Sequence, residues 1–119
     1  MTINIPVSLG ELIDKIAILE IKYLFTNNEH VKNELDDLQK IKESLTQFTL
    51  IHEVELKKVN EKLWVVENRI RQKEKLKQFD EEFIELARSV YILNDKRSSI
   101  KKNINEENNS NYTEIKYYN

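Results

Sequence analysis

One glycine and one proline among 119 residues leave the chain almost no means of turning sharply. Strand-rich folds need turn residues at short intervals, whereas helices joined by brief polar breaks do not. Glu, Lys, Leu and Ile are abundant instead, and most of these favour helix. The expected fold is all-α: an antiparallel helical bundle or long helical hairpin with coiled-coil-like packing.

Charged residues make up 34% of the chain and hydrophobic residues 39%, a balance that suits an elongated packing of amphipathic helices with wide polar faces. The length is enough for one domain. The 19 basic and 21 acidic residues are interspersed and leave a net charge of −2, so no basic excess draws the chain to nucleic acid or to an anionic membrane. Cysteine is absent, which excludes disulfides, thiolate metal sites and cysteine nucleophiles. Glu11, Asp14 and Lys15 interrupt the apolar N-terminal stretch, so it does not read as a secretory signal. No apolar run is long enough to cross a bilayer. The cytoplasm is the expected location.

Ile3, Ile5 and Val7 alternate as a short extended segment that Pro6 confines to an edge. Ser8-Leu9-Gly10-Glu11 then forms a capping box. Periodicity predicts helices over about residues 9–25, 29–46, 51–77 and 81–105, in a single domain spanning 1–107. Leu9, Leu12, Ile16, Leu19 and Tyr23 stripe the first helix. Ile13, Ala17, Ile18, Ile21, Leu24 and Phe25 widen that stripe until Glu11, Lys15 and Lys22 are the obvious solvent strip. Such a helix is buried from more than one side, as the central helix of a monomer or as the seam of a dimer. Val31, Leu35, Leu38, Ile41 and Leu45 stripe the second helix, and Leu56, Val59, Leu63, Val66 and Ile70 the third at heptad spacing. One bent helix or a hairpin would both fit these two, because residues 46–51 suit a turn or a kink. Asp80 is the predicted cap of the fourth helix, striped by Phe83, Leu86, Ala87, Val90, Leu93, Ile100 and Ile104. The polar tail, residues 108–119, is expected to be disordered or to pair with residues 3–7 as a short β ribbon.

Polar residues inside these stripes are the candidate site: Glu20, Asn60, Glu67, Asn94 and Arg97. An Arg–carboxylate fork is the geometry best able to survive burial, so Arg97 is expected to fork to Glu20 or Glu67. Two roles fit the group. One is a polar pocket for a small anionic or polar ligand; the other is a buried ion pair that fixes helix register, the better attested use. Asp14, Glu85, Arg88, Tyr91 and Asp95 form a second group, with helical neighbours spaced as in a surface ion-pair ladder. Trp64, the only tryptophan, lies at the edge of the third stripe, as a core or dimer contact.

Several chemistries lack their residues. His30 and His52 belong to no zincin or di-iron pattern, a single glycine cannot build a phosphate loop, and Ser89 has no histidine within helical reach. No catalytic residue, metal or cofactor is therefore expected. The clusters Arg69/Arg71/Lys73/Lys75/Lys77 and Lys96/Arg97/Lys101/Lys102 are diluted by acids and read as solvated faces.

Two segments are more distinctive than their physics requires: residues 5–22, with Val7-Ser8-Leu9-Gly10-Glu11-Leu12-Ile13-Asp14-Lys15-Ile16 at their heart, and residues 83–95, Phe83 to Asp95. With Val59-Asn60-Glu61-Lys62-Leu63-Trp64 and Ile70-Arg71, they resemble a family of short bacterial and phage proteins catalogued as a domain of unknown function. The resemblance covers nearly the whole chain and implies no activity, substrate or catalytic residue. Leu12-Ile13-Asp14-Lys15-Ile16 is also faintly similar to the first helix of helical chorismate mutases, but those enzymes clamp a dicarboxylate with arginines and this helix has none. The expectation is a non-enzymatic interaction or assembly module, homodimeric and docking on another protein. The competing expectation is a binder of a sugar or nucleotide, or an enzyme accessory, using the polar cluster.

Overall fold

The computed structural model describes residues 1–45 and 51–109. They form four helices and, among the described residues, no strand: α1 (Leu9–Thr26), α2 (Glu29–Glu43), α3 (Glu53–Lys75) and α4 (Glu81–Glu107). The starts of α1, α2 and α4 follow side chains that satisfy the first free amides, while α3 starts after His52 without a side-chain cap. Ser8 Oγ accepts from Glu11 N at 3.1 Å, Asn28 Oδ1 accepts from His30 N at 2.8 Å, and Asp80 Oδ1 accepts from Phe83 N at 3.0 Å. The Glu11 carboxylate turns to another helix and accepts from Lys101 Nζ at 2.8 Å.

α1 is the central helix, and it alone packs against each of the other three. Ile13 joins Leu56, Val59, Leu63, Ile100 and Ile104 in a core shared with α3 and α4, while Leu12, Ile16 and Leu19 form a second core with Leu35 of α2. The apolar circumference of α1 is thus covered within one chain from Leu12 to Ile21, so this part need not form a dimer seam, while Leu24 and Phe25 of the predicted stripe stay exposed near its end. Each fully buried aliphatic side chain contributes about 2 kcal/mol. α2 and α3 are separate helices, tied by an ion pair between Lys42 and Glu53. Residues 46–50, where a turn or kink was expected, lie outside the described residues, as does most of the tail (110–119) with its suggested ribbon. Ile3, Ile5 and Val7 stay exposed and line, with Leu38, Ile41 and Leu45, an apolar groove beside α1. Ile41 and Leu45 therefore do not reach the core as their stripe suggested: the core that α2 shares with α1 takes in Val31, Leu35 and Leu38 and stops there.

Gly10 is required where α1 meets α4. A β-carbon there would stand 2.7 Å from Lys101 O and 2.9 Å from Asn105 Oδ1, and Gly10 N donates to that same Asn105 oxygen at 2.7 Å. This close approach aligns α1 with the C-terminal half of α4 and brings the polar residues of both helices together.

The α3–α4 hairpin outruns α1. Eighteen residues of α1 lie beside 27 of α4, about 27 Å against about 40 Å at 1.5 Å per residue. Beyond Leu63 of α3 and before Ile100 of α4 the hairpin holds no buried apolar residue. Val66, Ile70, Phe83, Leu86, Val90 and Leu93 are half-buried there, and Ala87, predicted to face the core, is exposed. The turn is fastened by Lys73, whose side chain is 4% exposed and whose ammonium donates to both Asp80 oxygens at 2.7 and 2.9 Å.

Candidate functional site

In α4 the inward line reads Phe83, Leu86, Val90, Leu93, Arg97, Ile100, Ile104, at alternating three- and four-residue spacing. Arg97 is its one polar member. Asp14 of α1 meets it one turn after Gly10, and Asp14 is fully buried. Arg97 Nε donates to Asp14 Oδ1 at 2.9 Å and Arg97 Nη2 donates to Asp14 Oδ2, a two-pronged fork. Asn60 of α3, itself buried, donates to Asp14 Oδ1 at 2.9 Å. Lys101 Nζ lies 3.7 Å from Asp14 Oδ2, and Asn94 Oδ1 accepts from Arg97 Nη1 at 3.5 Å. One carboxylate thus ties together α1, α3 and α4.

Burial pushes the Asp14 carboxyl up. Hydrogen bonds from Arg97 and Asn60, with the positive charges of Arg97 and Lys101, outweigh that and hold it below the usual carboxylate range. A carboxylate whose oxygens are engaged by a fork and whose proton affinity is lowered is a poor general base at neutral pH. The arrangement is suited to fixing three helices in register.

The predicted members are redistributed. Asn60, Asn94 and Arg97 do meet. Glu20 instead accepts from Lys57 Nζ at 2.8 Å, and Glu67 accepts from Arg71 Nη1 on its own helix at 2.9 Å. The fork of Arg97 thus goes to Asp14 rather than to Glu20 or Glu67, because Asp14 lies on the side of α1 that faces α4. The spacing of Asp14 relative to other charges suggests a surface residue, and the structure buries it instead. The signal that pointed to this burial was its absence from the solvent strip of α1, a signal that does not decide alone, since Glu20 is off the same strip and is only half-buried. Lys101, Glu11 and Asn105 were not anticipated as part of this contact.

Beside the fork runs an open furrow of about 400 Å³, lined among others by Lys22, Trp64, Glu67, Arg71, Asn94 and Arg97. Trp64 is half-buried and stacked on Phe25, with ring centroids 5.4 Å apart. The basic clusters are largely spent in ion pairs: Arg69 with Glu82, Arg71 with Glu67, Lys73 with Asp80, Lys77 with Glu74 and Lys101 with Glu11. Among the described residues no group of acids and histidines could hold a metal ion, and no helix is long and apolar enough to cross a membrane.

The remaining predicted residues, Glu85, Arg88, Tyr91 and Asp95, are all exposed on α4. The three charged members lie beside exposed Ile84, Tyr91 and Ile92 on the same helix. Neither the curated proteins nor the solved structures offer a match to this chain. A family model does, over residues 2–119, nearly the whole length in which the helical register and the buried fork are encoded. The chain belongs to the family of unknown function DUF6165.

Proposed function

We propose that this chain is a non-enzymatic assembly module that pairs with a second copy of itself through its α3–α4 arm. One observation carries this reading. The arm has no buried apolar residue of its own, yet it exposes Val65, Leu76, Phe79, Ile84, Tyr91 and Ile92. Apolar side chains exposed on a feature that has no core of its own offer an interaction surface, and two helices alone cannot close a core. The buried polar cluster, with its carboxylate already forked, is then part of the scaffold. Static light scattering at micromolar concentration tests the reading: a dimer mass supports it, and a monomer mass at every concentration up to the millimolar range removes it.

A second reading has its own support in the furrow beside the fork. Lys22, together with Arg71 and Arg97, which already pair with Glu67 and Asp14, stands next to the Trp64 ring and the Asn94 amide. A phosphorylated sugar or a nucleotide would engage this set by competing with Glu67 for Arg71. Trp64 is the only tryptophan, so its fluorescence reports the furrow directly. Titration with uridine monophosphate and with glucose 1-phosphate decides it. Saturable quenching that Arg71→Gln weakens supports the site, and no change up to millimolar ligand removes it.

A further inference from the structure

The outermost line of α4, opposite its inward line, is Glu81, Arg88, Asp95 and Lys102. The four residues are one heptad apart, and all are exposed. Their signs alternate: minus, plus, minus, plus. Neighbours on this line stand about 10 Å apart along the helix, beyond the reach of an ordinary ion pair between them. The order is self-complementary under one operation. If a second α4 lies antiparallel with a two-fold axis passing between Tyr91 and Ile92, Glu81 faces Lys102 of the second copy, and Arg88 faces its Asp95. Each pair then occurs twice, so all eight charges are matched over about 30 Å of helix. A parallel, in-register pairing would instead set like charge against like at every step. At the axis itself Tyr91 and Ile92, 60% and 55% exposed, flank the line on opposite sides, so Tyr91 would pack on Tyr91 and Ile92 on Ile92 of the second copy. Residues beside the line also agree, since Glu85 would come beside Ser99 and Ile84 beside Ser98 of the second copy, with no like charge in either contact.

We infer that α4 is a two-fold recognition element for a second copy of this chain, in an antiparallel register set by Glu81–Lys102 and Arg88–Asp95 pairs around a Tyr91/Ile92 centre. The inference rests on the assembly reading above and adds to it the face, the direction and the register. Exposed ion pairs are individually weak, but like charges set opposite each other are penalised. The pairs therefore select the register, while the apolar centre supplies most of the attraction.

Charge exchange tests this. Arg88→Asp makes the central line wholly acidic and should weaken the wild-type dimer about tenfold, since two pairs become repulsive. Asp95→Arg makes it wholly basic and should weaken self-association by a similar factor. An equimolar mixture of the two variants restores every central pair between unlike chains, so sedimentation equilibrium should recover a dimer within about twofold of wild-type affinity. The double variant Arg88→Asp/Asp95→Arg should likewise recover it alone. A monomeric wild type overturns the assembly reading and this inference with it. A dimeric wild type whose single variants associate undiminished overturns only the register. Variants that weaken but are not rescued on mixing also overturn the register, because the loss then comes from something other than facing charges. Circular dichroism melts of the two variants confirm that both are folded before they are mixed.

Discussion

At the scale of single residues, the structure turns on one buried carboxylate. Asp14 is compensated by Arg97, Asn60 and Lys101, and the worth of that set is asymmetric. Removing one partner strands a buried charge, whereas removing both can leave stability nearly unchanged. Arg97→Met should cost about 3 kcal/mol, read as a lower urea midpoint, and Asp14→Leu combined with Arg97→Met should recover most of it. Equal losses in the single and double variants would mean that the fork does not compensate a buried charge. The pH dependence has a definite sign. Asp14 is held below its ordinary pKa when folded, so the stability it contributes is present above its unfolded value of about 4. That stability is lost as pH falls through the lower folded value, and Arg97→Met should lose this acid-side dependence. The sequence disclosed that Arg97 and Asn60 point inward, because each interrupts a heptad stripe. It did not disclose the partner. A helical wheel assigns a side chain to a face, and whether Asp14 or Glu20 of α1 meets the guanidinium depends on where α1 slides along α4. That slide is set by Gly10, whose lack of a β-carbon lets Lys101 O and Asn105 approach.

At the scale of helices, beginnings were more legible than ends. Ser8 and Asp80 announce their helices through the amides they accept. The end of α3 is a Schellman turn, with Gln78 N donating to Lys73 O at 2.9 Å, Lys77 N donating to Glu74 O at 3.1 Å, and Lys77 at a φ of 55°. Glycine normally marks that position, and a lysine there gives no signal. The ends of α3 and α4 also meet through a contact that periodicity cannot show: His52, just before α3, sits 2.9 Å from Glu107 at the end of α4. The bond to Glu107 raises the His52 pKa above 6.5, against a smaller opposing effect of burial and with help from Glu55. The contact therefore adds stability that is fully present below the unfolded value of about 6.5 and is lost as pH rises through the higher folded value. An NMR titration of the His52 ring should give a pKa above 6.5 in the wild type and a value closer to 6.5 in Glu107→Gln. An unchanged pKa in that variant would show that the pair does not persist in solution.

At the scale of the whole molecule, packing is uneven along the long axis. The chain measures 49 × 37 × 27 Å, and its buried residues gather where α1 crosses α3 and α4. Toward the turn, α3 and α4 have only each other, their apolar seam is half-buried, and the Lys73–Asp80 clasp is the one buried polar fastening described there. Local stability follows buried apolar contact, so the two halves of α4 should open at different cost. Hydrogen exchange on dilute protein should find amides of residues 84–93 less protected than those of residues 97–105, which share a core with Ile13 and Leu56. The assembly reading adds a second condition to the same measurement. A partner that binds only the folded arm stabilises it by mass action. Protection across residues 84–93 should therefore rise as protein concentration is raised through the dimer's dissociation constant, while residues 97–105 change little. Equal protection in both halves at low concentration would mean that the two-helix arm is self-sufficient. It would then have no need of a second copy, and its exposed Ile84, Tyr91 and Ile92 would lose their significance as an unfinished interface. An uneven pattern that never responds to concentration would instead leave the arm weak in a lone chain, with a partner other than itself to complete it.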